Sequence, residues 1–363
     1  MSMEQTHIPQ LEKYEKFLFR RRLALIVAAI ATVVAALCSA GAGTLHFPFS
    51  EILRTLLGKG TPQANTVLFG IRLPRIAAGL LVGGLLASSG AVMQCVLRNP
   101  LASASTLGVS QGAAFGAAIG IIVFGGGAVN SPSAAAAVTV SNPFTVTLCA
   151  FLFGSMSTFV VIAISRFKKS IGPGGLVLAG TALSSLFAGG STLLQYFADE
   201  TKLGAVVFWT FGDLGGSSWW EIGFLAAVFA ASMLFFLLNR WNYNAMEGGA
   251  DTAKSLGVNT RSVMLWSMVI CSLTASISVS FVGIISFVGL IAPHIMRRFV
   301  GNDYRYLVPC SAVAGALLLV LADTFARTVI APVILPIGAI TSFLGGPVFL
   351  MLLFKGGVGH GKD

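Results

Sequence analysis

The stretch IRLPRIAAGLLVGGLLASSGAVMQCVLRNP, Ile71–Pro100, decides the fold class. Between Arg75 and Arg98 lie 22 residues without a charge. A bilayer-spanning helix needs about 20 apolar residues, so 76–97 reads as a span held between basic ends. Gly79, Gly83, Gly84, Ala87 and Gly90 make it rich in small residues, which let helix backbones approach closely inside a bundle. Gly112, Gly116 and Gly120 repeat the theme in the next apolar run, four apart and so on one helix face. Bundle packing is the preferred explanation for both sets.

The rest of the chain has the same character. Of its 363 residues, 55% are hydrophobic and 10% charged, and the mean hydropathy is +0.86. A soluble domain carries about 25% charged residues, so an ordinary cytosolic enzyme is excluded, as is a disordered chain. Ten apolar runs are recognised: 23–43, 76–97, 106–126, 145–165, 174–197, 220–239, 263–283, 285–299, 308–330 and 338–355. The predicted architecture is all-α and polytopic, with ten transmembrane helices in one membrane domain over 23–355. Polar tails occupy 1–22 and 356–363. The eighth run has only 15 residues, too few to cross a core of about 30 Å, and must be buried in protein or broken. The stretch 127–144 is a small-residue connection.

Charge distribution gives the orientation. With an even number of spans and a cytoplasmic N-terminus, 17 of the 23 Lys and Arg residues fall inside and six outside. This obeys the positive-inside rule, puts both termini in the cytoplasm, and makes the net charge of +10 a record of topology rather than of a nucleic-acid partner. Residues 46–58 read as an outer amphipathic helix capped by Ser50, with Glu51 in its first turn and Ile52, Leu53, Leu56 and Leu57 lying on the interface. Trp209, Trp219 and Trp220 fit an aromatic belt.

Catalytic signatures are missing. The chain has no G-x-x-x-x-G-K-[ST], H-E-x-x-H or G-x-S-x-G. Its five cysteines form no C-x-x-C pair and its four histidines are scattered, which argues against a metal centre. Intramembrane ionisable groups are nearly absent. Asp323 and Arg327, four apart, share a helix face and can pair. A driven transporter of this composition takes its energy from a partner; an ion-coupled secondary transporter, the main rival, would need a relay of such groups. A multi-pass membrane enzyme is a third option, with His294 its only candidate base near a span end.

Four stretches carry more information. Arg72 and Arg75 flank Pro74, a helix-start residue, and suit either headgroup anchoring or a carboxylate dock, because guanidinium forms forked bonds to carboxylates. Asn99-Pro100-Leu101 is a turn where the span meets the inside. Within the loop 240–262, Gly248-Gly249 precede a short helix with Asp251 as N-cap and Gly257 as its stop, and Asn259 or Thr260 caps the next helix. That loop is either a connector or a docking surface. In 283–297, Pro293 can break the helix at the membrane edge, and His294 reads as a packed helix-end residue.

Taken in order, these stretches resemble the permease family of iron-chelate and vitamin B12 importers, the FecCD type. The likeness runs from about residue 45 to 355. It includes I-R-L-P-R at 71–75, S-G-A-V-M-Q at 89–94, N-P-L-A at 99–102, L-G-V-S-Q-G at 107–112 and L-A-G at 178–180. It continues with A-x-x-L-G at 253–257, G-x-I-x-F-x-G-L-x-x-P-H-x-x-R at 283–297, L-A-D-x-x-A-R at 321–327, L-P-I-G at 335–338 and G-x-P-x-F at 345–349.

The resemblance implies the membrane subunit of an ABC importer in a bacterial or archaeal cytoplasmic (inner) membrane. It implies a second permease chain, two cytoplasmic P-loop ATPases that hold the ATP and magnesium, and an extracytoplasmic substrate-binding protein. This chain itself would need no cofactor. The implied cargo is a metal chelate: ferric siderophore first, then haem or cobalamin. It assigns Arg72, Arg75 and Arg327 to binding-protein docking, with Asp323 orienting Arg327. It assigns Gly249, Asp251, Ala253, Leu256 and Gly257 to ATPase coupling, although Ala250 stands where the family often has an acid. It places the inner gate at Asn99, Pro100 and Leu101, with Pro173 in a second element.

Overall fold

The computed structural model describes residues 8–43, 47–126, 142–167 and 172–356. The expected tail residues 1–7 and 357–363, most of the small-residue connection 127–144, and the basic residues Lys168 and Lys169 lie outside the described residues.

The described chain is all-helical. Its helices are α1 (Ile8–Gly41), α2 (Phe49–Leu56), α3 (Pro62–Val67), α4 (Leu73–Val96), α5 (Val109–Ile122), α6 (Pro143–Phe167), α7 (Pro173–Tyr196), α8 (Glu200–Phe211), α9 (Trp219–Leu238), α10 (Arg240–Glu247), α11 (Ala250–Ser255), α12 (Thr260–Val282), α13 (Val288–Val300), α14 (Tyr304–Thr328) and α15 (Ile337–Gly356). Seven helical stretches are long and apolar enough to cross a membrane: Leu18–Gly41, Pro62–Val96, Pro143–Phe167, Pro173–Tyr196, Trp219–Leu238, Thr260–Val282 and Tyr304–Thr328. The remaining three apolar runs form α5, α13 and α15.

From Ile8 onward the polar start is helical, because α1 runs unbroken through Arg20–Arg22. The second span also starts earlier than its apolar run. Thr61 caps α3 by accepting from the Ala64 N–H at 3.3 Å, and the chain passes through a π-helical turn, Leu68–Arg72, straight into α4. Pro74 is therefore internal to a continuous helix. A π turn is a common way to absorb the backbone hydrogen bond that a proline cannot make. Trp219 uses the loosened turn, donating from Nε1 to the Phe69 carbonyl at 3.0 Å.

The amphipathic segment forms α2, with Pro48 rather than Ser50 at its N-cap. Glu51 does sit in its first turn and accepts from the Thr61 N–H at 3.0 Å. Ile52 turns inward against Ala40, Leu68 and Ile76, while Leu53, Leu56 and Leu57 stay exposed.

Close packing follows the glycine faces. A β-carbon at Gly112, Gly116 or Gly120 of α5 would run into the backbone of α6 at Phe153, Cys149 or Val146. Gly83 of α4 and Gly315 of α14 press backbone to backbone in the same way. With no hydrophobic force between helices in lipid, such contact supplies the dispersion energy that holds the bundle. The pair α4–α14 is its axis, with α1, α9, α12 and α13 packed around it.

The eighth run becomes α13, 13 residues and about 20 Å long. It is packed among α1, α4, α14 and α15. The helix continues through Pro293 instead of breaking there. The N–H that proline lacks would have bonded to the carbonyl of Gly289, which instead rests against Gly90 of α4. Helix α8, capped by Asp199 through the Lys202 N–H at 2.8 Å, is an element that hydropathy alone did not separate from its surroundings.

Candidate functional site

Two polar clusters sit at opposite ends of the bundle. The first gathers Arg72, Arg75 and Arg327. The π turn delivers Arg72, the first turn of α4 delivers Arg75, and the last turn of α14 delivers Arg327. One carboxylate joins two of them. Asp323 accepts from Arg75 Nε at 2.8 Å through Oδ1 and from Arg327 Nε at 3.0 Å through Oδ2. The predicted Asp323–Arg327 pair is thus present, and Arg75 shares it.

Backbone at the end of α1 takes up more of the charge. Arg327 donates to Ser39 Oγ at 2.6 Å and to the carbonyls of Ser39 and Ala42. Arg72 donates to the Ala40 carbonyl and lies over the Phe47 ring, 5.1 Å from its centroid. The carbonyls of a helix C-terminus carry partial negative charge, so they are suitable acceptors.

All three arginines are buried, at 5%, 6% and 9% exposure for Arg72, Arg75 and Arg327. They tie α1, α4 and α14 together rather than projecting from a surface. The one open member of the cluster is Asp213, whose side chain is 62% exposed and bonds Arg75 Nη2 at 3.2 Å. The sequence reasoning missed it. It is a lone acid in the turn Gly212-Asp213-Leu214-Gly215, where its Oδ1 accepts the Gly215 N–H at 2.9 Å and its own N–H reaches the Val282 carbonyl. An isolated acid between turn glycines was the available signal.

The opposite end carries the loop 240–262. It contains two helices, α10 and α11. Tyr243 of α10 is fully buried, with its hydroxyl 2.9 Å from Ser267 of α12. Asp303 caps α14 and binds Arg21 at 2.7 Å, Arg305 at 2.6 Å and Asn244 at 3.0 Å. Burial works to raise the Asp303 carboxyl, but the hydrogen bonds from Arg305 and Asn244 outweigh it and hold the group at about 2. Arg21 was expected only as a topological charge in a tail; the structure makes it a partly buried partner of that cap.

Helix α11 stands outside this network. Its N-cap is Gly249, at φ 110°, so Asp251 falls within the first turn instead of capping it. A β-carbon is poorly tolerated at that φ, so glycine takes the capping position. Gly257, at φ 83°, stops the helix as expected, and Asn259 is the residue that caps α12, accepting the Ser262 N–H at 3.1 Å. Ala253 is fully buried against the main core, whereas Leu256 is 67% exposed and Asp251, among the described residues, meets only Lys254, at 3.1 Å. Of the five coupling candidates, Ala253 anchors the helix, the two glycines shape it, and Leu256 and Asp251 are presented.

Asn99 and Pro100 line a cavity of about 270 Å³ beside this loop, together with Gln94, Glu247, Arg297 and Asn302. Leu101 is not in that lining; its N–H is held by Asn99 Oδ1 at 2.9 Å. Arg98 takes a left-handed φ of 47° to end the helix before them. Pro173 starts α7 and does not line the cavity.

A buried ion cluster at one end of the helical bundle thus faces a partly buried one at the other, with a short presented helix beside the second. The FecCD transport family matches residues 30–355. The chain belongs to the FecCD transport family. A Methanocaldococcus jannaschii protein named as an ABC transporter permease is 47% identical over 96% of this chain and 98% of its own. The hemin transport system permease protein HmuU of Yersinia pestis is 34% identical over 92% of this chain and 96% of its own. A solved inward-facing structure described as a metal-chelate type ABC transporter superposes with a TM-score of 0.78 at 32% identity, covering 91% of this chain and 98% of that one. This FecCD chain is a multi-pass membrane protein and the permease subunit of an ABC importer. Membership of the family implies ATPase and binding-protein partners.

Proposed function

We propose that the chain moves a metal chelate, with ferric siderophore the first choice and haem or cobalamin next, by alternating access between two copies of itself. Ten apolar segments cross or enter the membrane in this reading, with the loop end and both termini in the cytoplasm, which the seventeen-to-six split of basic residues supports. The observation that carries it is α11: a six-residue helix fixed by Ala253 yet presenting Leu256 and Asp251. An apolar side chain held out on a rigid base suits a cleft in a partner, here the ATPase. ATP binding brings the two ATPases together, shifts both α11 helices and reorients the spans between the permease copies; hydrolysis resets them. The gate is formed by the Asn99–Leu101 turn and the start of α7 at Pro173.

Docking of the binding protein is assigned to the arginine end, in a form that the burial dictates. There, Arg75 and Arg327 share Asp323, Arg75 also meets Asp213, and Arg72 bonds the Ala40 carbonyl beside them. Arg75 is covered by an exposed acid, Asp213. An acidic group of the binding protein exchanges with Asp213 at Arg75, while Arg72 and Arg327 set the field and hold the site in shape. Forked guanidinium–carboxylate geometry favours such an exchange over displacement by a neutral group.

Gentle purification of the tagged chain from its native membrane tests the reading. A P-loop ATPase recovered at about one copy per permease chain is the expected result. Its reproducible absence with the chain intact would favour an ion-coupled carrier and remove the coupling and docking assignments.

A further inference from the structure

A second cavity of about 270 Å³, unused by the mechanism above, opens between the end of α6 and the start of α12. Its polar end holds Arg166, in the last turn of α6, with Arg261 and Ser262, in the first turn of α12. Its other end is apolar, formed by Ile162, Leu265 and Val269. Trp266 stands at the mouth and is 61% exposed. Both arginines are exposed, and neither has an ion-pair or hydrogen-bond partner among the described residues.

The arrangement is ordered along the helices. Arg261, Leu265 and Val269 recur every four residues and so share one face of α12, as Ile162 and Arg166 do on α6. Positive charge therefore gives way to hydrocarbon over roughly 12 Å, the length of two helical turns. A free small anion would leave the apolar half unused. A soluble acidic partner could reach the arginines but could not follow the apolar wall into a membrane-spanning segment.

We infer that this groove binds an anionic phospholipid, with its phosphate between Arg166 and Arg261 and its acyl chain along Leu265 and Val269. Paired guanidinium groups suit a phosphodiester, an indole favours the headgroup level, and basic pockets between spanning helices are recurrent sites of this kind. The inference rests on the chain crossing a membrane, not on which end is cytoplasmic or on the cargo.

The test uses the full chain in a nonionic detergent, mixed with equal amounts of phosphatidylglycerol and phosphatidylcholine, and counts retained lipid by native mass spectrometry. The wild type should keep phosphatidylglycerol several-fold over phosphatidylcholine. Arg166→Gln with Arg261→Gln should abolish the preference, and the double Arg→Lys variant should keep most of it. Arg54→Gln with Lys59→Gln, which removes two exposed charges elsewhere, should leave it unchanged. Phosphatidylglycerol with brominated acyl chains should quench tryptophan emission, and Trp266→Phe should remove much of that quenching even if the arginine variants fold poorly. No preference in the wild type, an equal loss in the Arg54/Lys59 control, or quenching indifferent to Trp266 overturns the assignment. So does a double Gln variant that drops to a single chain on sizing while retaining phosphatidylglycerol, which would make the groove an interface between copies.

Discussion

The arginine end and the loop end solve one problem in opposite ways. Both must keep charged side chains inside a largely apolar bundle. At the arginine end the charges face inward: Asp323 serves two guanidinium groups and the C-terminal carbonyls of α1 take the remainder. At the loop end the charged network around Asp303 lies behind the surface, and a separate short helix is presented in front of it. Where stability and partner contact fall on the same residues, a mutation cannot separate them. Where they fall on different residues, it can. The buried residues of the arginine end, Arg72, Arg75, Arg327 and Asp323, are the first kind, and the loop end, like the exposed Asp213, is the second.

Asp323→Ala should have the largest effect. It leaves Arg75 and Arg327 buried with their shared carboxylate gone, a change that costs about 3–5 kcal/mol when one partner of a buried pair is removed. Thermal unfolding of the detergent-solubilised chain measures it. A loss well under 1 kcal/mol would mean that the cluster is solvated in the membrane and would remove the contrast with the loop end.

Asp303→Asn should come next, at about 2 kcal/mol, as expected for charge-assisted hydrogen bonds at a helix cap. It also has a pH signature. The folded carboxyl titrates at about 2, below the ordinary carboxylate value near 3.9, so its contribution is complete above about pH 4 and is lost as pH falls toward 2. Melting curves between pH 5 and pH 2 should be less acid-sensitive in Asp303→Asn than in the wild type. Identical acid slopes would show that Asp303 is not held down.

Much of this division was legible in the sequence, and its limits are physical. The Asp323–Arg327 pair follows from four-residue spacing on one helix, and Gly257 and Asn259 from backbone chemistry. The three-glycine face of α5 was visible for the same reason, because helix periodicity fixes which residues point together. Whether Arg72 and Arg75 are exposed could not be read, since that depends on α1 and α14 arriving beside them from distant parts of the chain. Asp213 and Asp303 were overlooked because each is a single acid in a turn, with partners far away in sequence. Pro74 and Pro293 misled in one direction: local rules say that a helix starts or stops there, but a π turn precedes the first and the helix runs on through the second, with the Gly289 carbonyl packed against Gly90.

Asp213→Asn sharpens the comparison at the arginine end. The Asp213–Arg75 contact is half open to solvent, so stability should change by about 1 kcal/mol or less. Docking should respond differently. With the covering carboxylate gone, Arg75 is free to take an acid from the binding protein, and affinity for loaded binding protein should rise several-fold in a pull-down on reconstituted complex. Unchanged or weaker affinity would sink the exchange step while leaving the buried network intact.

The smallest stability effect belongs to Leu256→Ser together with Asp251→Ala. Leu256 is exposed, and Asp251 makes only an exposed pair with Lys254, so neither contributes more than about 0.5 kcal/mol to the folded chain. Yet these are the side chains that α11 offers a partner, and loss of an apolar anchor from a cleft costs about 1–3 kcal/mol of association, or roughly tenfold to a hundredfold in affinity. The double variant should therefore melt like the wild type and lose its ATPase on purification. Ala253→Leu supplies the opposite case on the same helix: it overpacks a fully buried position, and stability should fall by about 1–3 kcal/mol along with coupling. If the surface pair and Ala253→Leu behaved alike, α11 would be a structural connector. If only the surface pair spared stability while abolishing ATPase binding, presentation and anchoring would be separate properties of one six-residue helix, which the buried arginine cluster cannot offer.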